Sequence, residues 1–492
     1  MKLLLKNISI YGFGEILSKS IQFLLLPLYT RVLVPADYGK LELVYMVGAI
    51  LAILFGFLIQ NGYARIYFDK AEDEKFKERL FGTAFFFILI CSLAFLISSI
   101  IFSKYIAHVV FSFEDGETFV KLIGLSIFLK AISEVPYKSL IVRAKAKPYV
   151  SVHIITLLVT MLLTILFVAV YRWEVKGVLY AQIIGGFIQF LILAGLTFKI
   201  QFFAFSITQL SDMLKFSVFL ILPNLSSFIL HLSNRFFIKE YQNLEEVGLY
   251  SLGYKIASII PILFTEPVKK AFAPHIYSLI HNPSKCKQEI KKFSRYFFAA
   301  IITFALSISI FSRELIIIMS DQSYHKSYSI VFILAVSYVF LGLSGIIVIG
   351  IQITKKTWII TLIWPLSAII SLMFNYILIP SYGRMGAAIA ALISFFFINV
   401  AYFIALSRVY KIDFEYWKYL YVLILMSVFY LFSTQIQFSL FLSFILKILL
   451  LIIFLICILF GQYFNREEID KFLKPLISKL KLKNSKIKTY IG

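Results

Sequence analysis

Long apolar runs alternate with short charged or turn-rich breaks along nearly the whole chain. A membrane-spanning helix needs roughly 20 mainly apolar residues, and about fourteen runs reach that length. Their approximate centres lie near Ile21, Leu54, Ile90, Ala131, Leu162, Phe187, Leu225, Ile260, Ile302, Phe340, Ser367, Phe395, Ile424 and Leu451. The pattern predicts an all-α polytopic membrane protein. Two breaks are longer than the rest. Ser103 to Thr118 carries Glu114, Asp115 and Glu117, whereas Lys269 to Arg295 is basic and holds His275, His281 and Cys286. Neither is long enough for a large external catalytic domain.

Composition agrees with that pattern. Of 492 residues 60% are hydrophobic, and the mean hydropathy is +0.89, which places the chain in the membrane class. A net charge of +22 would suit a nucleic-acid binder if it lay on one face. Here Lys and Arg fill the breaks, so nucleic acid is not an expected partner. With the N-terminus taken as cytoplasmic, inward breaks and termini hold roughly 32 basic residues against about 11 outside. Both ends are therefore expected in the cytoplasm. Lys2 and Lys6 imitate the start of a signal peptide, but Glu15 and Lys19 interrupt the apolar run and no small-residue cleavage site follows; the segment is expected to be retained as the first span. Cys91, Cys286 and Cys457 are far apart, without a CxxC or histidine partner, and read as structural rather than metal-binding.

The chain also repeats itself. At an offset of about 209 residues, Lys147-Pro148-Tyr149 falls on Lys356-Thr357-Trp358, and Gly177 with Ala181 falls on Gly386 with Ala390. Less regularly, Arg31 and the turn ending at Gly39 correspond to Arg235 and the turn ending at Gly248. The expected organisation is two pseudo-symmetric six-helix halves, 1–208 and 209–410, two additional helices in 411–464, and a basic cytoplasmic tail, 465–492. Parallel repeats of this kind are an alternating-access architecture with substrate bound between them.

Charges within the spans supply the candidate chemistry, because an unpaired charge at a helix centre is expensive unless it faces water. Glu15 and Lys19 are four apart on helix one, and Lys130, Glu134 and Lys138 repeat that spacing on helix four. Lys255 and Glu266 lie in helix eight, His231 and Arg235 close helix seven, Arg65 ends helix two, and Lys447 lies in helix fourteen. Lys19, Arg65, Lys130, Lys138 and Lys255 outnumber Glu15, Glu134 and Glu266, so a shared cavity would favour an anion such as phosphate or pyrophosphate. Each group also has a plainer reading. Arg31, Arg65 and Arg235 suit snorkelling anchors, and Lys447 suits packing. His231 suits a hydrogen-bonded core histidine or a coupling group, while Asn224 and Asn375 suit interhelical hydrogen bonding. No GxxxxGK[ST], HExxH, GxSxG or nucleotide-fold GxGxxG is present. No enzymatic activity and no cofactor are expected; the driving force would be an ion gradient, membrane potential or product consumption.

One stretch carries a resemblance. Tyr11-Gly12-Phe13-Gly14, then Leu24-Leu25-Leu26-Pro27-Leu28-Tyr29-Thr30-Arg31 and Pro35-Ala36-Asp37-Tyr38-Gly39, resembles the opening of the bacterial polysaccharide biosynthesis proteins, the O-antigen-type oligosaccharide flippases. The basic turns Arg143 to Lys147 and Lys355-Lys356 and the duplicated halves extend it over nearly the whole chain. The resemblance implies a multidrug/oligosaccharidyl-lipid/polysaccharide exporter fold in the bacterial inner membrane. It implies movement of undecaprenyl-pyrophosphate-linked oligosaccharide to the outer leaflet, for O-antigen or lipopolysaccharide biosynthesis. Cationic cavity residues of the family would correspond to Lys19, Lys130, Lys138 and Lys255. Expected partners are lipid-linked oligosaccharide, membrane lipids and polysaccharide polymerase machinery, with helices thirteen and fourteen as a groove for the lipid tail. The alternatives are an ion-coupled multidrug exporter, a peptidoglycan-precursor flippase, or a membrane-embedded glycan polymerase or acyltransferase.

Overall fold

Helix α1 (Phe23–Val32) runs through Pro27 and turns at Leu33-Val34 into α2 (Pro35–Gly56), which starts on a proline whose missing N–H would be unpaired at that position anyway. The computed structural model describes residues 23–56, 58–69, 73–111, 115–198, 204–436, 440–461, 463–464 and 468. After α2 come α3 (Ile59–Ile66), α4 (Glu74–Ile101), the short α5 (Ser103–Ile106), α6 (Gly116–Val142), α7 (Ala146–Thr164) and α8 (Glu174–Thr197). Then follow α9 (Ile207–Leu232), α10 (Asn234–Tyr241), α11 (Leu244–Ala257), α12 (Glu266–Ser278), α13 (Pro283–Ile310) and α14 (Ser312–Met319). A 3-10 stretch, Gln322–Ile330, leads into α15 (Val331–Ile353), α16 (Trp358–Val409), α17 (Tyr416–Thr434) and α18 (Leu440–Phe460).

Polar side chains set the helix starts. Asp73, Asn243 and Asn282 accept from the N–H groups of Phe76 (2.9 Å), Glu246 (2.9 Å) and Lys285 (3.2 Å), satisfying amides that open a helix. Among the described residues, 10 helical stretches are long and apolar enough to cross a membrane. Every predicted centre from Leu54 onward falls in a described helical stretch, and the centre at Ile21 lies outside the described residues. Ser367 and Phe395 fall in one 52-residue element, α16, which breaks at Gly383 with φ +52°; only glycine adopts that conformation without penalty.

The outer faces are apolar at mid-helix. Phe187, Leu191, Ile369, Phe396 and Ile452 are exposed, which suits hydrocarbon and would be a liability in water. Inside, small polar residues hydrogen-bond to their own helix, as Ser133 does to the Leu129 carbonyl (2.8 Å) and Ser394 to that of Ala390 (2.7 Å), which satisfies these hydroxyls without water.

The repeat has a backbone counterpart. Glu174 and Gly383, 209 positions apart, are both left-handed, at φ 47° and +52°. The basic turns before α7 and α16 likewise each use a left-handed residue, Ala144 and Lys355. Helix α9 begins at the predicted boundary between halves yet packs on both sides of it. Ser217 Oγ accepts from Gly62 N (3.2 Å) and Gln209 donates to the Phe76 carbonyl (3.3 Å), while its far end packs along α10 and α16.

The last two helices are pinned by charge. Lys447 on α18 meets Glu314 on α14 at 2.5 Å, with Ser443 donating to the same carboxylate at 3.2 Å. Lys447 is thus a buried structural ion pair. At the opposite end Glu415, ahead of α17, reaches Lys418 (2.7 Å), Arg295 (3.2 Å) and Lys291 (3.3 Å); Arg295 also binds Glu468.

Candidate functional site

The two turns that correspond in sequence pack against each other in space. A side chain at Gly39 would strike the carbonyl oxygen of Leu244, and one at Gly248 would strike that of Pro35. Gly248 is Gly39 plus 209, and Leu244 is Pro35 plus the same 209, so the contact is reciprocal, as between the subunits of a two-fold dimer. Glycine lets α2 and α11 approach backbone to backbone.

More of the same end is sealed nearby. The Thr30 hydroxyl donates to the Met319 carbonyl (3.0 Å), Asp321 N–H to the Thr30 carbonyl (3.1 Å), Arg31 to the Ile318 carbonyl (2.7 Å) and Tyr324 OH to the Leu33 carbonyl (2.9 Å). Arg31 is therefore spent on a backbone carbonyl of α14. Asp321 is held rigid: the N–H and hydroxyl of Ser323 donate to it at 3.0 and 2.9 Å and hold its carboxyl below the usual range.

Beneath this seal, Glu42 is seven residues into α2 from Pro35, about 10 Å along the axis. Its Oε2 lies 3.2 Å from Arg235 Nε and its Oε1 2.7 Å from Lys255 Nζ. The Arg235 side chain is 1% exposed and Glu42 4%, but Lys255 is 39% exposed. Arg235 also lies over the rings of Tyr254 (4.8 Å) and Tyr250 (5.8 Å) and donates to the His231 carbonyl (3.1 Å). His231 Nδ1 is hydrogen-bonded to Tyr254 OH (2.8 Å), and Asn234 donates to Tyr250 OH (3.1 Å) and to the Ala387 carbonyl (3.0 Å). A buried ion pair survives only when further hydrogen bonds satisfy it, and these neighbours do so for Arg235. One carboxylate faces two cations, which leaves the cluster positive, with its open side at Lys255.

Residues 4–280 match the polysaccharide biosynthesis protein family. The chain belongs to that family. The matched stretch takes in Glu42, Arg235, Lys255 and both sides of the reciprocal glycine contact. A curated relative, described as an uncharacterized membrane protein of Haemophilus influenzae, is 23% identical over 297 residues, 59% of this chain and 69% of its own length. Among solved structures, the lipid II flippase MurJ in an inward closed conformation has a TM-score of 0.71 at 14% identity, over 95% of this chain and 99% of that one. An inward-facing multidrug resistance MATE family transporter of the MOP superfamily gives 0.68 at 14% identity, over 80% and 96%. The fold of this family member is thus that of the MOP exporters, and the protein is a multi-pass membrane protein.

Within that fold the predicted site residues separate. Lys255 and His231 lie in the interface cluster. Lys130 is exposed on α6, and Glu134 and Lys138 are half-buried, with Lys138 Nζ 3.5 Å from Asn61 Oδ1 of α3. Among the described residues no hydrogen bond or ion pair joins this stripe to Glu42 or Lys255. Arg65 bonds Asp69 (2.8 Å) in an exposed pair, Glu266 opens α12 half-buried, and Glu15 and Lys19 lie outside the described residues. Asn375 donates to Ser233 Oγ (3.4 Å), and Asn224 bonds within its own helix, to the Leu220 carbonyl (2.7 Å).

Glu42 is the residue that sequence reasoning missed. It stands two positions after Lys40, close to a turn, and so reads as a loop charge. The 209-residue offset carries a signal: it aligns α2 with α11, the helix of Lys255, and makes Glu42 worth inspecting.

Proposed function

We propose that this family member is a flippase that moves a pyrophosphate-linked oligosaccharide lipid from the cytoplasmic to the outer leaflet by alternating access. Its fourteen spans form two six-helix halves plus two helices, and both termini are cytoplasmic. The carrying observation is the positive, half-open cluster of Glu42, Arg235 and Lys255, built from helices of both halves beneath a sealed end. With basic breaks inside, that seal lies on the outer face and Lys255 is reached from the cytoplasm. The Lys255 ammonium would hold the pyrophosphate as a point charge, while Lys130 and Lys138 would line the approach for the same anion. Rocking of the halves would then deliver sugar and pyrophosphate outward, with the lipid tail left in the bilayer. No bond is made or broken, so the protein acts as a transporter rather than an enzyme. The fold shared with the lipid II flippase supports a second reading, in which the cargo is a peptidoglycan precursor.

The test is the amount and membrane side of lipid-linked oligosaccharide in a host strain lacking this protein. Inner-leaflet accumulation rescued by wild type is expected, and Lys255→Ala should lower flipping about tenfold or more, the factor given by 1.4 kcal/mol of lost binding. Accumulation of peptidoglycan precursor instead would select the second reading. An unchanged lipid pool of both kinds would refute a flippase.

A further inference from the structure

We propose that Glu42 occupies, in the sealed arrangement, the place on Lys255 that the anionic head of the cargo takes, so that cargo binding releases one of the two ionic ties that Glu42 makes across the interface and loosens the seal. The inference rests on the proposed transport of a pyrophosphate-linked lipid and adds what the binding step does to the interface.

The three charges are unequal in access. Arg235 is enclosed by Tyr250, Tyr254 and the His231 carbonyl, and its side chain is closed to any ligand. Lys255 holds Glu42 Oε1 at 2.7 Å with its side chain half-open, and its ammonium lies 5.9 Å from the centre of the Tyr38 ring. A pyrophosphate carries more charge than one carboxylate, and like the carboxylate it accepts charge-assisted hydrogen bonds from an ammonium. After the exchange Glu42 still has Arg235, so no buried carboxylate is left without a cation, which is the state that makes breaking a buried pair costly.

A purely structural tie is the competing explanation, and the repeat speaks against it. At the offset of 209, Glu42 corresponds to Ser251 and Lys255 to Met46. The reciprocal close approach of α2 and α11 is made by Gly39 and Gly248, symmetrically and without these charges. Glu42 and Lys255 are a one-sided addition to an interface that glycine already closes. Coupling is reciprocal: if cargo frees Glu42 from Lys255, removing the Glu42 charge must favour cargo.

The experiment uses the purified full chain and farnesyl pyrophosphate as probe, with affinity measured by calorimetry. Glu42→Gln should bind the probe more tightly by about 5- to 150-fold, the usual range of a coupling between sites. Lys255→Ala should bind it more weakly, and the double variant should behave as Lys255→Ala. Glu42→Asp keeps the charge but shortens the reach, and should be tightened less; it decides the matter if Glu42→Gln fails to fold. A second readout is Ser320→Cys in a chain with Cys91, Cys286 and Cys457 replaced. Ser320 is buried between the seal contacts of Met319 and Asp321. A polar maleimide should label it faster as farnesyl pyrophosphate is added, and in Glu42→Gln without the probe. Probe binding by wild type that weakens in Lys255→Ala but does not tighten in Glu42→Gln or Glu42→Asp overturns the exchange and leaves the transport reading standing. Absence of probe binding in wild type and every variant overturns both.

Discussion

Gly39 and Gly248 meet, among the described glycines, the closest backbone contacts, since each lacks room for even one methyl group against a backbone carbonyl that cannot rotate away. Gly56 and Gly195 have open space at the same position. Gly39→Ala and Gly248→Ala should therefore each cost about 1–3 kcal/mol, the usual penalty of overpacking, and should loosen the sealed end. Gly195→Ala should be neutral or slightly stabilising, as alanine is the better helix former. Thermal unfolding of the three variants in detergent checks the ranking; equal melting temperatures for Gly39→Ala and Gly195→Ala would refute the close contact.

At the scale of elements, charge adds to the placement of α17 and α18, whose buried apolar positions Val422, Met426, Phe454 and Ile458 already pack into the core. Glu415 pairs with Lys418 in the first turn of α17 and links that helix to α13 through Lys291 and Arg295. The hydrogen bond from Lys418, then that from Lys291, pulls its carboxyl down from an ordinary 4.5 to about 2. A carboxylate with a depressed value in the folded state contributes stability that is present above about pH 4.5 and is lost as pH falls through about 2. The melting difference between wild type and Glu415→Gln should accordingly be constant from neutral pH to about 5 and shrink below that. It should be small, and smaller at high salt, because the group is partly exposed. A difference that grows on acidification would contradict this network. Lys447 and Glu314 make the corresponding tie at the other end of α18, buried and so less open to screening by salt.

At the scale of the whole molecule, the direction of each helix fixes which loops share a side. Ser323, in the stretch before α15, stands at the sealed end, and Ser284, at the start of α13, at the opposite basic end; both are exposed. Single cysteines at these positions in intact cells report the orientation. Ser323→Cys should react with an impermeant maleimide, and Ser284→Cys only after the membrane is opened. The reverse result would invert the proposed orientation and make the observed arrangement outward-open.

The all-α, membrane-spanning character and the basic breaks were legible in the sequence, because hydrophobic length and charge placement act locally and leave local patterns. Lys255 and His231 were legible for the same reason: an ionisable group deep in an apolar run stands out wherever the chain folds. What only the tertiary structure decided is who meets whom. Gly39 and Gly248 look like two copies of one turn, and their mutual contact follows from how α2 and α11 are laid side by side. Glu42 looks like a loop charge until α11 brings Arg235 and Lys255 to it. The Lys130 to Lys138 stripe has the same charge character as Lys255 but sits apart from the interface. Charge is written in the sequence, whereas pairing depends on approach across some 200 residues of chain, and approach is set by packing.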